Sequence, residues 1–535
     1  MDQPASGGDD VDAVVIGSGP NGLVAANVLA DAGWSVLVLE GAATPGGAVR
    51  TEEITAPGFR NDVFSAFYPM GAGSPVIRGL ALEEHGLRWV HAPEVLAHVL
   101  PDDRSVLLSR DVDRTAESVS AFAPGDGDAW RAEFALWQRI RDDVLDAVLR
   151  PFPPIRAGRG LLRSLGPAEA LRLTRMLTQP VRAVGAEKFA GEGARLLFAG
   201  NTMHTDLGPD QSGGGVFAWL LTMLGQEIGF PVPEGGAGEL TNALVRRLAA
   251  RGGRVECGRR VTRVLHARGR AVGVRDASGS DVRARRAVLA DVPAPSLYLD
   301  LVGRESLPPR LIDDLRRFEW DDATMKVDWA LSGPIPWTSP DARLAGTVHI
   351  GPDVNGLAGI ANDLACGRTP RTPFLLLGQM TTTDPTRSPA GTEAAWVYTH
   401  VPRGEHWSAD RLRRRVDRIE QVVEQHAPGF RDLVVGRSVQ GPADLEQRNA
   451  SLVGGAINAG TSGIHQQLVF RPVPGLARAD TPIDRLFLAG SSAHPGGGVH
   501  GAPGANAARA ALARGGWAGE GYGALIRTLN RAVYD

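Results

Sequence analysis

The chain has 535 residues, of which 43% are hydrophobic and 22% charged, with 57 basic residues against 60 acidic ones. That usage excludes an intrinsically disordered chain, and a net charge of −3 excludes the global basic field that holds nucleic acid. Two cysteines, Cys257 and Cys366, exclude a disulfide scaffold and a cysteine-rich metal site.

The first ten residues, MDQPASGGDD, are polar and acidic, unlike a secretory signal with its basic and then apolar segments. The longest apolar run, Val216–Leu224, is far shorter than the roughly 18 residues that span a bilayer. The sequence therefore predicts a cytoplasmic protein, attached at most to a membrane surface. All basic residues but Lys188 and Lys326 are arginine, a bias that GC-rich coding produces.

Asp12–Ile16 (DAVVI) reads as a buried strand. Gly17-Ser18-Gly19-Pro20-Asn21-Gly22 follows, then a helix with apolar spacing that Gly33 ends. A second strand, Ser35–Leu39, leads to Glu40. In such a unit the first glycine makes the tight turn. The second lets backbone approach a pyrophosphate, and the third lets the helix pack on the strand. The helix N-terminus presents free N–H groups to phosphate, and an acid about twenty residues on accepts ribose hydroxyls. Gly17, Gly19, Pro20, Asn21, Gly22 and Glu40 are accordingly the dinucleotide candidates.

From 70 to 230 the chain reads as helix-rich, with helical spacing over 129–149 and 161–182. Between Arg150 and Arg182 stand seven arginines and one acid, Glu169, interleaved with leucines. Two readings are open: a surface touching anionic lipid or taking up a lipophilic substrate, or a solvated face beside a core stripe. Next, Gly235-Gly236-Ala237-Gly238 opens a helix to about Arg251. Short strands are then predicted at 260–267, 271–276, 281–283 and 287–290, the last ending at Asp291. Thr324–Leu331 alternates cleanly, with Lys326 and Asp328 on one face. Strands are also predicted at 374–379 and 394–399. Arg485–Gly490 is a last strand, followed by a glycine-rich loop containing His494, Gly498, Val499, His500 and Gly501, and an alanine-rich helix from about 505 to 512. There is no internal repeat, and His494 and His500 lack zinc-ligand spacing.

The pair Gly46-Gly47 and then Arg50, following Glu40, resembles the fingerprint of the amine oxidase and phytoene desaturase flavoproteins. Relatives usually carry Gly-Gly-Arg directly, whereas Ala48-Val49 intervene here. The closing loop resembles the phytoene desaturase-like version, and most of all the branch of pyridine nucleotide-disulfide oxidoreductase domain-containing protein 2. Amine oxidases usually have an acid after the strand glycine, where this chain has Ser491.

This resemblance implies an α/β fold: a Rossmann-type FAD-binding domain with a β-meander, interleaved with a mixed-sheet and helical substrate domain. The FAD domain is expected at 1–69, 231–299 and 481–535, and the substrate domain at 70–230 and 300–480. It implies non-covalent FAD held also by Gly46, Gly47, Arg50, the backbone of Val261, Gly490, Ser491, Gly498, Val499, Gly501 and Ala502. The N-terminus of the alanine-rich helix would stabilise negative charge on the reduced ring. Phe64, Phe67, Tyr68, Met70, Phe217, Trp219, Trp396 and Tyr398 are candidates for an apolar pocket.

With a single GxGxxG there is no second dinucleotide domain for NAD(P)H. The expectation is an FAD-dependent dehydrogenase, desaturase or oxidase that takes a hydride from a C–H bond of a lipophilic or natural-product substrate to flavin N5. Electrons would leave to oxygen, a quinone or a protein. A flavin-dependent isomerase, and a non-catalytic flavoprotein acting through a protein partner, are the alternatives. Lys326 and His500 are the catalytic candidates, Lys326 because a buried lysine shifts its pKa and His500 because imidazole titrates near neutrality. Each has a plain structural alternative: an ion pair with Asp328 for the lysine, backbone hydrogen bonds for the histidine.

Overall fold

A computed structural model describes residues 10–535; the acidic N-terminal stretch read above lies largely outside the described residues. Two seven-stranded sheets organise the chain. The first runs Val261–Ala267, Arg270–Asp276, Asp281–Ala290, Asp10–Ile16, Val36–Leu39 and Arg254–Glu256, with Leu486–Leu488 added beside Asp281–Ala290. Its central strands are parallel and covered on both faces, which is why VVI and VLVL are continuous apolar runs rather than alternating ones. The helices Pro20–Asp31 and Ala502–Gly515 pack together on one face through Ala25, Ala26, Leu29, Ala507, Ala508 and Ala511.

The second sheet runs Val434–Gln440, Ala323–Leu331, Glu393–Val401, Leu375–Gln379, Ala345–Ile350, Glu94–Val99 and Ser105–Leu108. All its pairings are antiparallel except that of Ala345–Ile350 with Glu94–Val99. The strand Ala323–Leu331 is buried throughout. Met325, Val327, Trp329 and Leu331 enter one apolar core, so Lys326 and Asp328 are driven to the opposite, also buried, face.

Three differences from the sequence reading have physical causes. The strands Glu94–Val99 and Ser105–Leu108 lie in a stretch read as helical; both are largely buried, so no alternation betrays them. The strands read at 281–283 and 287–290 are one, Asp281–Ala290, because its first half alternates with one face exposed while its second half is enclosed. The helix read over 161–182 is instead Ile155–Met176, kinked at Gly166 with φ 74°, followed by Val181–Lys188. Pro167 and Pro180 account for both breaks, since each lacks an N–H and disfavours helix in the residue before it. The apolar run 216–224 is the middle of a helix, Gly214–Ile228, packed among Trp130, Trp137 and Phe198. Among the described residues no helix is long and apolar enough to cross a membrane.

Candidate functional site

The parallel register brings four strand ends to one edge. Ile16 pairs with Leu39 and with Ala290, and Ala290 pairs with Leu488. Gly17, Glu40, Asp291 and Gly490 therefore leave the first sheet together, at the carboxyl ends where open α/β sheets bind ligands. The loops are close-packed. A Cβ on Gly22 would strike the Gly17 carbonyl, and one on Gly504 would strike the Asn21 carbonyl. Only glycine lets the two helix N-termini, capped by Gly19 and Gly501 with no side-chain cap, converge on one spot.

The glycine pair joins the same wall: the Gly46 amide donates to the Ser18 carbonyl at 3.0 Å, and a Cβ on Gly47 would lie 3.0 Å from Gly19 Cα. Glu40 is held at the strand end by Ser18 N–H (2.9 Å), Ser18 hydroxyl (2.6 Å) and Ala42 N–H (2.8 Å). The Arg259 amide donates to the Glu40 carbonyl at 2.8 Å, which sets Val261, two residues on, beside that end of the loop. Asn21 Nδ2 donates to Ser491 Oγ at 3.3 Å, tying the first glycine loop to the last one. Arg50 lies over the Phe64 ring at 5.2 Å and donates to the Arg448 carbonyl at 3.2 Å.

An apolar cavity of about 340 Å³ opens next to these loops. Phe64, Phe67, Met70, Phe217, Trp396 and Tyr398 line it, as do Gly498, Val499 and His500. Tyr68 and Trp219, also read as pocket aromatics, do not. Tyr68 packs on Trp89 and bonds Ser65, and Trp219 packs on Trp137 and donates to Glu133. Trp396 and Tyr398 stand parallel, their ring centroids 5.9 Å apart, because they are two residues apart on one strand.

The two catalytic candidates both reach the cavity, but neither side chain is free. Lys326 Nζ lies 2.5 Å from Asp328 Oδ1 and donates to the Asp62 carbonyl at 2.9 Å, with both members of the pair buried. Burial raises the Asp328 carboxyl, against the pull of the Lys326 charge. Two of the three ammonium hydrogens are thus engaged. His500 accepts the Ala502 N–H on Nδ1 at 3.1 Å and lies 3.1 Å from the Gly497 carbonyl through Nε2. These partners fix the neutral Nε2–H tautomer, and burial above all pushes the imidazole down to about 4. This arrangement matches the structural alternative for His500: both ring nitrogens are engaged in shaping the loop.

Three further residues at the site carry no signal in the sequence. Asp291 Oδ2 accepts the Gly22 N–H at 2.8 Å. Burial, then the charge of Glu40, raises its carboxyl to about 7. Arg471, fully enclosed, donates to the carbonyls of Thr461, Asn458 and Ser491 and pairs with no carboxylate among the described residues, and burial lowers it to about 10. It lines the cavity beside Gly496. His204, also on the lining, lies 2.9 Å from His349 and is held neutral by burial. Finding any of these requires knowing which distant segments meet.

The donor set fits FAD. Asn21 Oδ1, Arg50 Nε and Asn458 Nδ2 are buried polar atoms with no hydrogen-bond partner among the described residues, the first in the glycine loop and the last on the cavity wall. The dinucleotide would lie along Gly17–Gly22, Glu40 and Gly46–Gly47, with its ring end toward Gly490–Ser491 and Gly498–Ala502. Neither cysteine lines the cavity, and among the described residues no cluster of His, Cys, Asp and Glu could hold a metal.

Comparison with known proteins agrees with this geometry. Residues 21–512 match the family described as flavin containing amine oxidoreductase. The chain is 30% identical to pyridine nucleotide-disulfide oxidoreductase domain-containing protein 2 of Rattus norvegicus, covering 93% of each chain. It is 25% identical to the neurosporene-forming phytoene desaturase of Cereibacter sphaeroides, over 95% of each. Among solved structures, an oxidoreductase from Methanosarcina mazei superposes with a TM-score of 0.61 at 18% identity, over 94% of this chain and 99% of the other.

Proposed function

This chain belongs to the flavin containing amine oxidoreductase family and is an FAD-dependent oxidoreductase, and from that premise we propose that it oxidises a C–H bond of a neutral, apolar small molecule. One observation supports this substrate class: the lining of the 340 Å³ cavity contains no aspartate and no glutamate. An ammonium substrate would meet Lys326 and Arg471 and no counter-ion, while losing its hydration. A polyene or terpenoid loses nothing by entering a wall of Phe64, Phe67, Phe217, Trp396 and Tyr398. The phytoene desaturase likeness points the same way.

When bound, FAD supplies the two-electron acceptor for the substrate's hydride. The chain's own residues do the rest. The stacked pair Trp396 and Tyr398 orients a flat apolar substrate. The remaining hydrogen of Lys326 is available to a water or a single polar substituent. His204 and His500, both held neutral by burial, do not bring charge into the cavity. Arg471 fixes a positive charge at the ring end, held on three carbonyls.

The test is anaerobic bleaching of the flavin with two panels, neutral polyenes and terpenoid alkenes on one side, primary amines and NAD(P)H on the other. The apolar panel should bleach and the second should not. Bleaching by amines alone overturns the substrate class, and bleaching by NADH or NADPH makes the protein a reductase. A product isomeric with its substrate, with no net reduction, makes it a flavin-dependent isomerase.

A further inference from the structure

The helix Ile155–Met176 turns two unlike faces. Leu161, Leu165, Leu173 and Met176 pack into the tryptophan-rich core of the helical region. On the other side Ile155, Leu162 and Leu171 are 61%, 51% and 72% exposed. At 100° per residue, Ile155, Arg156, Arg159, Leu162 and Arg163 fall within about 120° of arc on one side of the first half.

The charges divide just as sharply. Arg172, Arg175 and Arg182 pair with Glu169, Glu187 and Asp210, and Arg150 pairs with Asp146. Arg156, Arg159 and Arg163, all exposed, form no ion pair among the described residues. Asp143 abuts Gly160, which lies outside their arc. This is an uncompensated cationic face studded with exposed aliphatic side chains, which a soluble surface does not need.

Its position connects it to the site. The corner before the helix carries Val148, which lines the cavity, and Arg150, whose carbonyl lies 2.9 Å from Nε2 of His494 in the closing glycine loop.

We propose that the outer face of Ile155–Met176 docks this protein on the surface of an anionic lipid bilayer, with Ile155 and Leu162 in the acyl boundary and Arg156, Arg159 and Arg163 on the headgroups. The docking stands on the helix alone. Entry of an apolar substrate from the leaflet, past Val148, rests additionally on the substrate class proposed above.

The experiment is co-sedimentation of the flavin-loaded protein with phosphatidylcholine vesicles, with and without phosphatidylglycerol. Binding should require the anionic lipid and fall steeply with added salt. The triple variant Arg156→Ser/Arg159→Ser/Arg163→Ser should bind about 10²-fold more weakly while keeping its flavin absorbance, since each basic residue near an anionic surface contributes about a fivefold factor. Leu162→Ser should weaken binding at every salt concentration. Failure of the wild type to sediment with anionic vesicles at low salt overturns the proposal. So does equal binding to neutral vesicles, or a triple variant that binds like wild type. If the triple variant fails to fold, the salt series on the wild type still decides. Because no substrate is added, the result is independent of the oxidation assay.

Discussion

The Asp291 carboxylate accepts the Gly22 amide hydrogen at 2.8 Å, so an acid stands inside the glycine loop that receives the dinucleotide. A Cβ on Gly19 would lie 2.5 Å from the same oxygen. Its carboxyl is raised to about 7 by burial and then by Glu40, the charged side chain acting on it, so a large share is protonated near neutrality. As a neutral acid it makes the same hydrogen bond with no charge facing a pyrophosphate.

A pH dependence follows. Relative to an ordinary carboxyl near 3.8, the raised group costs folding stability progressively as pH rises from about 4 to about 7, and a bound pyrophosphate would raise it further, so FAD binding takes up a proton above neutrality. The FAD dissociation constant should therefore rise by up to about tenfold per pH unit above neutrality, the slope of one proton. Asp291→Asn should bind FAD with no such slope. Fluorescence of released FAD between pH 6 and 9 measures both, and an unchanged slope in the asparagine variant removes Asp291 from the explanation.

The cofactor should be non-covalent. Cys257 sits near Glu40, at the far end of the dinucleotide site from the closing loop, and Cys366 is exposed after a helix of the second sheet's domain. Acid precipitation should leave the flavin in the supernatant; flavin retained in the pellet refutes this.

Glu40→Arg should strip FAD by at least ~10²-fold. The ribose bonds are expected to be charge-assisted, each contributing about 1.5–3 kcal/mol. The variant also releases the Ser18 and Ala42 N–H groups that Glu40 holds. Far-UV circular dichroism should stay near wild type, because the strand Val36–Leu39 before it is fully apolar and buried. Full FAD occupancy in the variant would place the ribose anchor elsewhere.

Lys326→Met should lower the melting temperature, since it strands the buried Asp328 charge, a loss of about 3–5 kcal/mol for a broken buried pair. Lys326→Met/Asp328→Leu should regain much of that. If Lys326 also serves the reaction, the double variant will still reduce its flavin at least ~10²-fold more slowly. Recovery of both stability and rate would leave the lysine a purely structural role. His500→Ala, by contrast, should act on FAD retention, because its nitrogens brace Gly497 and Ala502.

Local order was legible from the chain alone. The strand Asp10–Ile16, the helix Pro20–Asp31 and the strand Val36–Leu39 follow from an apolar run, a glycine turn and helical spacing, all settled by neighbours in sequence. Those same neighbours fix the glycine loop and Glu40, and so the dinucleotide class. The alternation of Ala323–Leu331 likewise put Lys326 and Asp328 on one face.

Contacts between distant segments were decided only by the tertiary structure. Asp291 meets Gly22 across 269 positions, and Lys326 meets the Asp62 carbonyl across 264. No periodicity records such meetings, which depend on parallel strand order and sheet packing. Burial has the same origin. It lowered His500, raised Asp291 and lowered Arg471, which stands among carbonyls. A side chain's pKa and its free hydrogens depend on what encloses it, and that is a property of the packed molecule rather than of the residue or its neighbours in the chain.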